Sequence, residues 1–125
     1  MNYIIFDLEW NQSPEGKSGS DERMPFEIIE IGAVRLNEKR EKTGEFQTLI
    51  KPEVYKWIHD SIRSVVHVDY KDLMSGATFP QAIRDFLDWC GEDFVFCTWG
   101  MQDLTELQRN LRYYDLLELL PGPVT

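Results

Sequence analysis

The stretch Tyr3-Ile4-Ile5-Phe6-Asp7-Leu8-Glu9-Trp10-Asn11 decides how the rest of the chain is read. Tyr3 to Phe6 are apolar and lead straight into two carboxylates separated by one residue. Their β-branched and aromatic character predicts a buried strand. A strand repeats every two residues, so Asp7 and Glu9 project from one face. Two acids side by side at the end of a buried strand repel, and one of them tends to take up a proton. A hard divalent cation such as Mg²⁺ or Mn²⁺ removes that cost, because it prefers carboxylate oxygens. A plainer reading also fits: Asp7 closes the strand end and Glu9 faces water.

The chain around this stretch has 125 residues, which suits one domain or part of one. Apolar residues make up 42%, enough for a packed core. Met1 and Asn2 run directly into the strand without a basic region and apolar run, so no signal peptide is expected. No apolar stretch reaches the roughly 18–20 residues that cross a bilayer, so no membrane partner is expected. Cys90 and Cys97 are too few for a zinc knuckle and read as reduced core residues of a cytoplasmic protein. The net charge of −9 argues against packaging or storing nucleic acid, which relies on Lys and Arg. It leaves open an enzyme that meets a strand transiently through bound metal.

Working outward, residues 12–25 are rich in Ser, Gly, Pro and charge and predict a long loop. Lying directly after Glu9, it is a candidate lid or a solvated insertion. Residues 26–36 (FEIIEIGAVRL) predict a second strand, with Gly32 and Ala33 marking close approach by another backbone. Residues 37–43 read as a charged turn, and residues 45–50 as a third strand ended by Lys51-Pro52. No helix separates these segments, so they form an antiparallel meander. Trp57, Ile58, Ile62, Val65 and Val66 predict a helix over about 56–67, followed by a turn-like 70–78. Pro80 opens a helix with Ala82, Ile83, Phe86, Leu87 and Cys90 on one face, and Gly91 closes it. Residues 94–97 (FVFC) are a short buried strand. Gly100 precedes a helix carrying Leu104, Leu107 and Leu111. The order predicts an α/β arrangement on a mixed sheet.

A third carboxylate, Asp103, follows the short strand in Thr98-Trp99-Gly100-Met101-Gln102-Asp103. If that strand runs parallel to the first, Asp103 enters the crevice beside Asp7 and Glu9 from the first turn of a helix. An acid in a first helical turn is equally served by the helix dipole alone.

Taken together, Phe6-Asp7-Leu8-Glu9, the segment Glu27-Ile28-Ile29-Glu30-Ile31-Gly32-Ala33-Val34, Ile50-Lys51-Pro52 and Trp99-Gly100-x-x-Asp103 resemble the DEDD 3′–5′ exonucleases. That is the ribonuclease T/DnaQ-like superfamily. The Trp-Gly-x-x-Asp spacing is most similar to the branch with histone-mRNA exonucleases and sporulation-inhibitor-like proteins. The resemblance covers nearly the whole chain. It implies a ribonuclease H-like mixed sheet with an antiparallel three-strand meander and flanking helices, incomplete at the C-terminus. The family's third motif, a His or Tyr followed by a last Asp, has no match after Asp103. Asp115 stands too close, and His59 and His67 precede the second motif. Residues 1–125 are therefore expected to be the N-terminal part of one exonuclease domain.

The resemblance implies two Mg²⁺ or Mn²⁺ ions about 3.5–4 Å apart on the scissile phosphate, with Asp7 bridging them. Glu9 would bind the ion carrying the attacking water, and Asp103 the other. The substrate would be the 3′ end of single-stranded RNA or DNA, and the product a nucleoside 5′-monophosphate. Leu8, Trp10 and Asn11 would meet the terminal nucleotide, Trp10 by stacking on a base or else as plain core. Glu30 reads as a buried structural acid or one supporting the metal ligands, Trp99 as packing beneath the second motif, and His59 and His67 as surface or satisfied helix-end residues. Lacking the last Asp and the general base, the chain should bind one metal well at most and turn over slowly or not at all. Apolar surfaces left bare should favour self-association. A rival reading is a regulatory or interaction module that keeps the fold without turnover; a His-x-x-x-x-Asp downstream in the gene separates the two. A phosphatase of the Asp-x-Asp type ranks last, because Glu9, Trp10 and Asn11 stand where it needs a second Asp and a Gly or Thr.

Overall fold

The computed structural model describes residues 1–12, 23–55, 70–98 and 100–120. Strands β1 (Asn2–Asn11), β2 (Glu27–Leu36), β3 (Lys42–Leu49) and β4 (Phe94–Cys97) form one sheet in the order β3-β2-β1-β4. β1 with β2 and β2 with β3 are antiparallel, giving the expected meander, and β4 returns parallel to β1. The helices are α1 (Tyr70–Met74), α2 (Phe79–Cys90) and α3 (Met101–Tyr113), followed by a 3₁₀ turn at Leu117–Leu119. This is the mixed sheet with flanking helices that the motifs implied.

The strand period assigns the two faces. Ile4, Phe6 and Leu8 turn inward and are buried, and α2 and α3 cover them with Ala82, Ile83, Phe86, Leu107 and Leu111. Phe96 from β4 closes the same layer, its ring 5.0 Å from Phe6 and 6.0 Å from Phe86. The alternate residues face outward: Ile5 is 38% and Val95 40% exposed.

α2 is well delimited. The Thr78 hydroxyl accepts the Gln81 N–H, and Pro80 lies in the first turn, where its missing N–H costs nothing. Gly91 ends the helix at φ 89°, a conformation that side chains with a Cβ resist.

Five local expectations are corrected. β1 does not end at the acids but continues through Asn11. β3 begins at Lys42, inside the supposed turn, because Arg35 grips Thr43 through its hydroxyl and draws this segment alongside β2. Residues 70–74 form α1 rather than a turn, anchored by the fully buried Leu73. Among the described residues nothing packs over Gly32: a Cβ there would meet nothing within 4 Å, because this position lies on the open face. Cys97 is half-exposed on that same face instead of sitting in the core. The helix expected over 56–67, residues 13–22 of the expected loop, His59, His67 and Trp99 lie outside the described residues.

Candidate active site

β4 pairs with β1 only as far as Ile5↔Cys97. Beyond that point β1 continues, and its edge on this side passes to another partner. The Asn2 N–H donates to the Asp93 carbonyl at 2.9 Å, so even-numbered residues of β1 aim their backbone groups towards β4. Leu8 is the even position past the end of the pairing. Its N–H donates to Asp103 Oδ2 at 3.3 Å. A side chain 95 residues away thus takes over from the missing strand, and this contact sets Asp103 beside Asp7.

The backbone explains the placement. Gly100 is extended and opens α3 without a side-chain cap, so Asp103 falls in the first helical turn directly after β4. The helix dipole favours an acid there, and the same acid reaches β1 as its position in the first turn led one to expect.

The three acids load one another electrostatically. Desolvation, then the charges of Asp7, Glu30 and Asp103, push the Glu9 carboxyl above its usual range. Asp103 is also raised, chiefly by desolvation and further by Asp7, against the lowering effect of the Leu8 N–H. Glu30 faces Glu9 across the ladder and accepts from Gln47 Nε2 at 3.2 Å; it is only half-buried, not the buried acid that was one of the two expectations for it. Directly after Glu9 the register shifts, so that Trp10 faces Ile28 and Ile29 has no opposite number. Such bulges re-aim the side chains beside them. Among the described residues, no three Asp, Glu, His or Cys side chains converge closely enough to hold an ion.

The three expected nucleotide contacts fare differently. Leu8 is buried in the core, so what it presents to the crevice is backbone. Trp10 is half-buried with its ring 5.7 Å from Phe26, which leaves part of the indole open. The expectation for Asn11 is revised: its side chain is fully buried and donates to the Tyr55 carbonyl at 3.0 Å, tying the end of β1 to the segment after β3.

Three polar residues carry the site without having been singled out in the sequence. Glu27 is 3% exposed and accepts the N–H groups of Glu53, Val54 and Tyr55 at 2.8–2.9 Å. Asn110 is buried two turns after Asp103, accepting from the Ile28 N–H at 3.1 Å and donating to the Phe26 carbonyl at 2.9 Å. Glu106 is buried between them on α3, with Oε1 2.7 Å from Arg109 and Oε2 unpartnered. A polar residue in phase with Leu107 and Leu111 was the available signal for Asn110.

The mixed four-strand sheet with flanking helices, and acids gathered where its parallel pair ends, define an α/β domain of ribonuclease H-like fold. The chain belongs to the RNase T exonuclease family, whose model matches residues 4–116. Among solved structures it is similar to a 3′-exonuclease in 3′-end specific recognition of histone mRNA stem-loop, at 22% identity and TM-score 0.74, over 90% of this chain and 52% of that chain. It is similar to the nuclease domain of 3′hExo, a DEDDh family member bound to rAMP, at 23% identity and TM-score 0.75, over 92% and 60%. It is also similar to cell-death related nuclease 4 (CRN-4), at 14% identity and TM-score 0.71, over 99% and 50%. At such identities the likeness is one of fold. The chain spans between 50% and 60% of the length of these three structures. No curated protein matches it.

Proposed function

We propose that residues 1–125 are the N-terminal part of a divalent-metal-dependent 3′–5′ exonuclease domain acting on single-stranded nucleic acid. The observation that carries this reading is the hydrogen bond from the Leu8 N–H to Asp103, which sets the third acid beside Asp7 and Glu9. The donor types suit Mg²⁺ or Mn²⁺, being all carboxylate oxygen and raised by desolvation and by one another's charge, although the three side chains would have to draw together to close on an ion. Asp7, Glu9 and Asp103 would hold the ion, which when bound would activate water and neutralise charge on a phosphate.

The chain's own residues do the rest. α3 positions Asp103, and the strand alternation of β1 sets Glu9 and Trp10 on opposite sides. The open part of the Trp10 indole offers a stacking surface for the terminal base. Free Cys90 and Cys97 suit a cytoplasmic setting. With the last Asp and general base of the family absent from residues 1–125, this chain alone should hydrolyse slowly or not at all.

Mn²⁺ titration by calorimetry tests the ligand set directly. Binding to this chain should be lost in both Asp7→Asn and Asp103→Asn. On a 5′-labelled single strand, the complete gene product should shorten the 3′ end stepwise, and its Asp7→Ala variant should not. Equal metal binding in all three chains, or equal shortening by both gene products, would sink the proposal.

A further inference from the structure

With 13 Lys and Arg against 22 Asp and Glu, the chain has few cations to offer an anionic polymer, so the way α3 holds two of them carries weight. At about 3.6 residues per turn, Asp103, Glu106 and Asn110 share the side of α3 that faces β1 and β2. Arg109 and Tyr113 follow a turn apart on the flank of that side. Arg109 is 42% exposed, and its Nη1 donates to Glu106 Oε1 at 2.7 Å. Exposed ion pairs are ordinarily loose, but Glu106 is only 2% exposed and cannot swing out with its partner. One arm of the guanidinium is therefore pinned to the helix, while Nε and Nη2 make no hydrogen bond among the described residues. A planar fork presented in this way suits a phosphate, which accepts two parallel N–H groups.

Arg23 supplies a second guanidinium further along the same flank. Its Cζ lies 4.8 Å from the centre of the Tyr113 ring, a cation–π contact that holds the charge at the surface of α3. The backbone beside it is fixed, because Met24 is fully buried and its carbonyl accepts the Tyr55 hydroxyl at 2.8 Å. Both cations stand towards the start of β2, since Asn110, next to Arg109, bonds Phe26 and Ile28. After α3 the chain turns the other way, to where Leu119 stands beside Leu87 and Phe94.

We propose that Arg109 and Arg23 bind the phosphate backbone of a single strand whose 3′ end lies at Asp7, Glu9 and Asp103. The inference rests on the exonuclease reading, which supplies the strand and its direction. At 1.5 Å per residue, Arg109 lies about 9 Å and Tyr113 about 15 Å along α3 from Asp103. The track therefore leads away from the acids, towards the uncut part of the strand. Its cations stand clear of the carboxylates, whose field would otherwise cancel theirs. Cations interleaved with aromatics follow a strand without reading its bases. Glu106 is then a positioning residue: it touches no phosphate and holds the fork that does.

Steady-state shortening of a 5′-labelled single strand by the complete gene product with Mn²⁺ tests this. Arg109→Ala alone would strand Glu106 as a buried charge, so it is made in a Glu106→Gln background and compared with Glu106→Gln. That variant, and Arg23→Ala in the parent, should each raise KM about tenfold with kcat nearly unchanged. Each should also lower the log–log salt slope of kcat/KM by about 0.7. Arg109→Lys keeps the charge but not the fork, so KM should rise while the salt slope stays. On a dinucleotide, too short to reach Arg23, Arg23→Ala should change nothing. Arg84→Ala removes the same charge from α2 and should leave KM and slope as they are. Arginine variants with unchanged KM and salt slope, in an enzyme that Asp7→Ala still inactivates, overturn the track alone. So does an Arg23→Ala effect as large on the dinucleotide as on the long strand, or an equal effect of Arg84→Ala. No shortening at all, or shortening that survives Asp7→Ala, strikes the exonuclease reading and the track with it.

Discussion

Glu27 and the trio of Asp7, Glu9 and Asp103 are two opposite treatments of the same chemical group. Glu27 is almost wholly buried, yet three backbone N–H groups surround its oxygens. The trio is more exposed, yet Glu9 and Asp103 are pushed above their usual range by desolvation and by neighbouring acids. Depth therefore does not separate a settled acid from a perturbed one. What separates them is how many compensating donors the protein supplies: three N–H groups for Glu27, against one for Asp103.

The sharpest way to break this contrast is to delete each acid. Glu27→Ala leaves three N–H groups without an acceptor and should cost about 4 kcal/mol in urea unfolding. A loss below about 1 kcal/mol would mean that water replaces the carboxylate freely. Asp103→Asn should behave inversely: unfolding in EDTA unchanged or harder, because a repulsive charge is gone, and Mn²⁺ affinity lower by at least about tenfold. If it instead unfolds as easily as the Glu27 variant, Asp103 belongs with the structural acids.

Glu106 stands between the two classes, half paired by Arg109 and half unpartnered. Desolvation raises its carboxyl despite Arg109. A raised acid favours folding below the ordinary carboxylate range, and that contribution is lost as pH rises through the raised value. Glu106→Gln does not titrate, so its stability relative to the parent should increase from acid to neutral pH. Urea curves at several pH values check this, and a difference that stays constant with pH would overturn it. The mildest test concerns burial alone. The fully buried Cys90 thiol is pushed up to about 12 by burial. At pH 8, iodoacetamide should therefore label Cys97 and spare Cys90 in native protein, as read by peptide mass spectrometry.

What could be read from the sequence was what repeats locally. Alternation in β1 put Asp7 and Glu9 on one face, short connections gave the meander, and Pro80 and Gly91 bracketed α2. Asp103 was within reach because a strand, a glycine and a leucine-patterned helix follow one another. Glu27 escaped because an acid at a strand start looks the same whether it meets water or three N–H groups from 26–28 residues away. Asn110 escaped likewise, since its partners Phe26 and Ile28 lie more than 80 positions upstream. Residues 70–74 looked like a turn because one buried leucine is too little periodicity to announce a helix.

The hydrogen bond between Leu8 and Asp103 also has a bearing on synthesis. The first two acids leave the ribosome early, whereas the third follows 95 residues later, about 5–20 s at ordinary elongation rates. Until then the growing polypeptide holds an acidic pair with no third arm. The three acids are thus brought together only after the sheet is nearly complete, so a half-made chain holds the first two without the third.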